Sequence, residues 1–536
     1  MKAQLKQPQP AELQAIHQLF QAGQVALAEA RAQALAATFP KSLPVLNLLG
    51  MCQQVQGKLR EAAASFRKMI AIDPNIAEIH FNLGAIYTQL NDAKAAIVAY
   101  RKALQLKPEL TVAHFNLGAL LQQQSQWQEA AKHYRRAVEQ QPGYYQAWAN
   151  WGAVLQTVGD LKAAEHCYRK ALDINADALG YFNLGTNLHD QGMLGQAIEA
   201  FREALRLEPQ FADAWNDLGE IYRDLGNMEE AVRCYRAALQ ANPEHGRANY
   251  NLGESYCLGG QFEQAIPYFS ASDFADADER VLLCLYKTAR FDAFKQRLDA
   301  FIAEDRHNSV LLGSLATHYA TNFRQADAYG YCRSPMQFVQ HTCIEELAEP
   351  GSALLNQLLD DVKHLAIAER KQGRLYYGMQ SAGNLLQRPE ASFQQLAALI
   401  RAKVKAYQQH FAGSDDALIR FFPKTLEFAS SWYLRMNQGG YLTSHIHEEG
   451  WISGCVYLQL PDKCDHHEGS FEYGIDGDDY PRLHDDFPTQ IVDQQVGDLV
   501  LFPSSLFHRT IPFNSDQERI CIAFDIKPGN SVGSKK

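Results

Sequence analysis

The sequence is short of several things. None of its ten cysteines belongs to a Cys-x-x-Cys pair. Cysteines scattered so widely read as small buried hydrophobes of a reducing compartment, not as a disulfide framework. No run of about 18 apolar residues occurs, so no membrane-spanning helix is expected. The opening stretch MKAQLKQPQPAELQ has no apolar core of the kind a signal peptide needs, and the cytoplasm is the expected compartment. Clustered basic residues are missing too. The net charge is −11, and the terminal basic residues are only Lys2, Lys6, Lys535 and Lys536, which excludes a nucleic-acid surface. With 46% hydrophobic and 21% charged residues the composition is that of a globular protein, which excludes long disorder. A chain of 536 residues exceeds one hydrophobic core, so at least two domains are expected.

Self-similarity dominates residues 40–270. Gly50, Gly84, Gly118, Gly152, Gly185, Gly219 and Gly253 recur every 34 residues, with one step of 33. Pro40, Pro74, Pro108, Pro142, Pro209 and Pro243 keep the same beat, with Asn175 in the skipped place. Small residues such as Gly84, Ala96 and Ala103 allow helices to approach, Tyr87 and Tyr100 fill the gaps, and proline ends the second helix of each unit. The pattern resembles the tetratricopeptide repeat, two antiparallel helices per unit, whose stacking buries a core that no unit buries alone. The expected organisation is a divergent helical cap over residues 1–40, repeats over 41–270 and a non-repeating helical connector over 271–335. An oxygenase-like domain over 336–536 follows, with a jelly-roll core at about 420–528.

One position in the first helix of each unit reads Asn82, Asn116, Asn150, Asn183, Asp217 and Asn251. These residues either tune helix packing or line a groove in which amides, which donate and accept at once, hold the backbone of a bound protein or peptide. The second reading is similar to the repeats of the O-GlcNAc transferases.

After helical residues 343–412, interrupted by a glycine-punctuated loop GRLYYGMQSAGNLLQRP, the pattern changes to short β-like runs. These are TLEFASSWYLRM, GWISGCVYLQLP, GSFEYGI, TQIVDQQVGDLVLFPSSLFHRTIPF and RICIAFDIKP. Their alternation and turn residues predict a β-sandwich or jelly roll. Within them, His445 and His447 stand two apart, on one face of a strand, where both reach one ion. His508, from a distant strand, is a third candidate ligand; three ligands with open positions suit a non-heme Fe(II) oxygenase.

The succession Gly-Gly-Tyr-x-x-x-His-Ile-His, Gly-Trp-x-Ser-Gly, Gly-Asp-Leu-Val-Leu-Phe-Pro-Ser, His508 and Arg-Ile-x-Ile-Ala-Phe resembles the 2-oxoglutarate-Fe(II) oxygenases found behind tetratricopeptide repeats. That resemblance implies a double-stranded β-helix, with Fe(II) as the metal and 2-oxoglutarate and O2 as cosubstrates. It also implies hydroxylation of a substrate with release of succinate and CO2. The better-known enzymes of this chemistry carry a carboxylate two residues after the first histidine, where this chain has His447. Two ligand sets follow: His445, His447 and His508, or a set in which Glu449 replaces one histidine of the pair. Parity does not choose between them if the strand persists to residue 449.

Arg519 is the candidate clamp for the cosubstrate carboxylate, because a guanidinium fork meets a carboxylate bidentately and stays charged when buried. If residues 514–517 form a hairpin loop, Arg519 pairs with residue 512, which shares a face with His508. Arg509 points to the opposite face, and a surface ion pair with Asp516 or Glu518 is the plain alternative for Arg519. The stretch DKCDHHEGSFEYGIDGDDYPRLHDD, with Asp462, Cys464, His466, His467 and Glu468, has no ordered metal-ligand spacing and reads as a solvated connection between strands or a lid. The leading reading is a 2-oxoglutarate-dependent dioxygenase that recruits a protein or peptide through its repeats. The competing ones are a non-catalytic scaffold with a degenerate jelly roll and a three-histidine, cupin-like oxygenase that does not use 2-oxoglutarate.

Overall fold

The computed structural model describes residues 8–365, 367–370, 373–463 and 465–527; Lys2, Lys6, Cys464, Lys535 and Lys536 lie outside them. The chain forms two compact units, Met1–Ala248 and Asn249–Lys536. No helix among the described residues is long and apolar enough to cross a membrane.

The first unit is a run of antiparallel helix pairs from α1 (Pro10–Gln21) to α14 (Met228–Ala241). The repeating glycines are explained by the aromatic residue 16 positions later. A Cβ on Gly84 would fall 2.8 Å from the Tyr100 ring, and one on Gly219 would fall 2.6 Å from Tyr235. Those rings, with Tyr134, Phe201 and Phe66, are buried at the centre of each pair. A second repeated device ties each unit to the turn before it. His80, His114, Trp148 and Trp215 bring a ring nitrogen 2.9–3.0 Å from the carbonyl of Pro74, Pro108, Pro142 and Pro209 respectively. Each proline has ended a helix, and the ring N–H satisfies its carbonyl.

The second unit begins within helix α15 (Gly246–Leu258) and continues with α16 (Phe262–Ser270), α17 (Ala277–Lys287), α18 (Phe291–Ala303) and α19 (Val310–Asn322). An antiparallel β-structure follows: β1 (Gln340–Cys343), β2 (Glu369–Arg370), β3 (Leu375–Ser381), β4 (Phe428–His445), β5 (Ile452–Gln459), β6 (Phe471–Gly474), β7 (Thr489–Val492), β8 (Asp498–Pro503), β9 (Phe507–Thr510) and β10 (Arg519–Ile526). β4 serves two sheets. Its first part, residues 428–436, pairs with β10, while Leu442 and His445 pair with Thr510 and His508 of β9. Between the parts lie Gly439 (φ +79°) and Gly440, where a Cβ would meet the Asn437 carbonyl at 2.7 Å, so glycine is needed where the strand changes partner.

The resulting orders are β1-β8-β5-β10-β4 on one side and β4-β9-β6-β7 on the other, a double-stranded β-helix of the jelly-roll class. Leu434, Met436, Tyr457, Phe471, Val500 and Phe502 fill the space between. β8 and β10 are buried along their whole length, which is why they read as continuous apolar runs.

Two expectations change. The segment read as a glycine-punctuated loop contains β3, which pairs with β4. Its Gly378 belongs to a bulge, where a Cβ would lie 2.7 Å from the Arg435 carbonyl, so glycine marks a close backbone approach inside a strand. The Asp- and Gly-rich connection between β6 and β7 is not solvated throughout, because it docks on α17 and α19. His318 Nε2 lies 3.1 Å from Asp476, Asn322 bonds Pro481 and Leu483, and Tyr480 is buried against Tyr286 and His318.

The glycine–aromatic pairing makes a specific prediction. Gly84→Val should destabilise the first unit by about 2 kcal/mol or more through overpacking. Combined with Tyr100→Ala it should cost less than the two single changes added together, as chemical denaturation of all four proteins would show.

Candidate active site

His445 ends β4, directly opposite His508 on β9, and His447 follows in the turn where the strand has stopped. The chain there is pinned from outside by Arg280 of α17, which holds Glu448 at 2.8 Å. One ligand-type nitrogen from each of His445, His447 and His508 falls within a group whose members lie within 4.8 Å of one another.

Hydrogen bonding fixes which nitrogens these are. His445 Nδ1 donates to the Thr443 carbonyl at 2.7 Å and His508 Nδ1 to the Leu506 carbonyl at 3.2 Å. His447 Nδ1 lies 2.6 Å from Asp525 Oδ1. Each Nδ1 therefore carries its proton, which leaves Nε2 as the nitrogen each ring can offer a metal. The Nε2 atoms of His445 and His447 face each other at 3.1 Å. Two lone pairs at that distance repel unless a proton or a metal cation lies between them. Burial and the neighbouring His447 push His445 down to about 3, and burial beside His445 and His447 holds His508 well below the usual histidine range, so these two rings are held neutral. Three converging imidazoles fit a divalent transition metal, and three protein ligands leave its further positions to other ligands.

Asp525 was not foreseen. It is buried on β10, flanked across the sheet by Ser430 of β4 and Ser453 of β5, both of which donate to it, at 2.8 and 2.7 Å. Burial alone would raise its carboxyl, yet His447 and these donors hold it below the ordinary carboxylate range. A lone aspartate in the otherwise apolar run RICIAFDI, on the same strand face as Arg519, was the available signal.

The histidines line a cavity of about 40 Å³, walled by Trp432, Leu442, Phe471 and Phe502 and reached by Arg519. Arg519 is 1% exposed. Its Nε donates to the Gly469 carbonyl at 3.0 Å, Nη1 donates to Cys521 Sγ at 3.3 Å, and the guanidinium lies over the Tyr457 ring. Among the described residues no carboxylate is in ion-pair contact with it. Its partner across the sheet is Met436, not residue 512. β4 lies between β9 and β10, because residues 511–518 cross from one sheet to the other instead of turning back as a hairpin. The surface pair proposed for Arg519 is made by others, since Glu518 holds Arg435. Arg509 points away from the site and pairs with Glu472.

Glu449 is exposed in the turn after His447 and is not part of the nitrogen cluster, because β4 ends at His445 and the face does not continue. Asp462, His466, His467 and Glu468 make no metal-ligand group. In the repeats, Asn82 and Asn183 are half-buried, while the side-chain amides of Asn116 and Asn150 donate to the Tyr100 and Tyr134 hydroxyls of the preceding unit. Asn251 is half-buried, and Asp217 pairs with Arg247.

The depressed His445 sets the acid sensitivity of the metal-free protein. An unfolded histidine titrates near 6.5 and this one at about 3, so between those values the unfolded chain binds a proton that the native state refuses. Stability should therefore fall as pH drops from about 6.5, by up to about 1.4 kcal/mol per pH unit for each such group. Urea midpoints of chelator-treated protein between pH 7.5 and 5 should show this slope, and His445→Asn should flatten it.

Comparison with known proteins agrees with this architecture. Residues 430–525 match the family model described as "Putative 2OG-Fe(II) oxygenase". Residues 111–144, 145–177 and 212–245 match tetratricopeptide repeat models, and residues 56–91, 84–125 and 185–223 match a further TPR repeat model. No curated protein matches. Among solved structures, YrrB, "a TPR protein with an unusual peptide-binding site", is 25% identical, aligned over 35% of this chain and 96% of its own, with a TM-score of 0.32. MamA of Desulfovibrio magneticus RS-1 is 18% identical over 32% of this chain and 96% of its own, with a TM-score of 0.30. The Cut9–Hcn1 structure is 17% identical over 49% and 52%, with a TM-score of 0.34. The chain thus joins tetratricopeptide repeats within residues 56–245 to a C-terminal domain of the "Putative 2OG-Fe(II) oxygenase" family at residues 430–525.

Proposed function

We propose that this protein is an Fe(II)- and 2-oxoglutarate-dependent dioxygenase, a hydroxylase acting on a protein or peptide that its repeats recruit. The observation that carries the reading is Arg519, a buried guanidinium without a carboxylate partner among the described residues, in the same cavity as three converging imidazoles. Burying an unpaired charge costs several kcal/mol, so the site favours a ligand that brings a carboxylate. When bound, Fe(II), 2-oxoglutarate and O2 supply the oxidising chemistry, with 2-oxoglutarate leaving as succinate and CO2.

The protein's own part is orientation and dryness. His445, His447 and His508 hold the metal, with Nδ1 bonds that keep each ring in its ligating tautomer. The Gly469 carbonyl and the Tyr457 ring fix the Arg519 fork so that it meets the distal carboxylate of 2-oxoglutarate. Trp432, Phe471 and Phe502 keep water away from the reacting centre. In the repeats, Asn82, Asn116, Asn150, Asn183 and Asn251 form the proposed peptide ladder. Asn116 and Asn150, already donating to tyrosines, would offer a peptide their carbonyl oxygens. The nine described cysteines are free, which supports a cytoplasmic enzyme.

The three-histidine set favours one rival, an oxygenase that does without 2-oxoglutarate. The two readings separate in one assay. The iron-loaded protein should convert 2-oxoglutarate to succinate, whereas oxygen uptake without succinate supports the rival. Arg519→Ala should raise the apparent KM for 2-oxoglutarate by about 10-fold or more, since a buried charged hydrogen-bond pair is worth about 2–5 kcal/mol when one partner is removed. Its affinity for the metal alone should stay within about twofold.

A further inference from the structure

We propose that Asp525 supplies, through His447, the negative charge that the metal's own ligand set lacks. The inference rests on the reading of His445, His447 and His508 as metal ligands. Three neutral imidazoles leave a divalent cation uncompensated in a buried, apolar cavity, and such a charge is stable there only with a nearby anion. Asp525 is the mirror case, a buried carboxylate with no lysine or arginine in ion-pair contact among the described residues. Only one imidazole ring separates the two: Asp525 Oδ1 sits 2.6 Å from His447 Nδ1, while the opposite nitrogen of that ring faces the cluster.

The three ligands are therefore unequal. His445 and His508 give Nδ1 to backbone carbonyls, which are neutral acceptors, whereas His447 gives it to an ion. A carboxylate bonded to the far nitrogen makes an imidazole a stronger donor to a metal. The surroundings hold Asp525 in that task. Ser453 bonds the same oxygen that His447 uses, and Ser430 bonds the other. The turn after His447 closes over the carboxylate, since a Cβ on Gly450 would lie 3.1 Å from Asp525 Oδ1. Asp525 is thus a positioning residue that returns to this site, one ring away, the charge a directly ligating carboxylate would have carried.

Asp525→Asn separates charge from shape, because the amide keeps an acceptor for His447 Nδ1–H and fills the same space. Co(II) alone, titrated into the full chain and followed by its visible absorption against a competing chelator, should bind about 10- to 100-fold more weakly to Asp525→Asn than to the unaltered protein. Equal affinity within about twofold, with unchanged circular dichroism and Tm of the metal-free proteins, overturns the inference and leaves Asp525 a merely structural residue. Failure of the unaltered protein to bind Co(II) is a different result, which removes the ligand assignment itself. Should Asp525→Asn not fold, the zinc-loaded unaltered protein still decides. One of its three ligand Nδ1–H protons should resonate well downfield of the other two, and three similar resonances contradict the proposal.

Discussion

The change of partner along β4, around Gly439 and Gly440, is the constraint on which the site depends. Because one strand changes sheets there, its far end pairs His445 with His508 while its near end runs beside β10. A straight strand of that length would carry His445 past the end of β10. The bend instead places the two histidine-bearing elements and the face of β10 that holds Arg519, Cys521 and Ala523 around one cavity. β8 and β10 are buried on both faces, so the sheet beneath the site is rigid on the side where its ligands must be held.

Across that cavity the electrostatics are ordered. Arg519 stands at one end of β10 and Asp525 at the other, on the same strand face, with the His447 imidazole beside the carboxylate. Among the described residues, no lysine or arginine is in ion-pair contact with Asp525 and no carboxylate with Arg519. A cation by the imidazoles and a carboxylate by Arg519 complement both ends at once. The helical segment of the same unit reinforces the arrangement from outside, through Arg280 on Glu448 and through His318 and Asn322 on the β6–β7 connection.

Much of this was legible in the residues. The repeats announce themselves because each glycine and its partner aromatic must recur with the helix pair. His445, His447 and His508 stand out because imidazoles at a strand-like spacing are rarely chosen for packing. What escaped was long-range. Glu449 stayed a candidate only while β4 was assumed to continue, and a turn at residues 448–449 is invisible to parity. Arg519 pairs with Met436 and not with residue 512, because strand order cannot be read from a short connection between two strands. Asp525 hid as one polar residue in an apolar run, and β3 hid behind a glycine that serves a bulge. The β6–β7 connection looked solvated because its composition says nothing about the helices that receive it.

In the proposed function the three histidines and Arg519 hold iron and 2-oxoglutarate together in one cavity. Visible absorption of the folded protein under anaerobic conditions tests it most directly. Fe(II) alone and 2-oxoglutarate alone should leave the visible spectrum flat, and the two together should give a weak metal-to-ligand charge-transfer band. A flat spectrum from correctly folded, iron-loaded protein at saturating 2-oxoglutarate would contradict it.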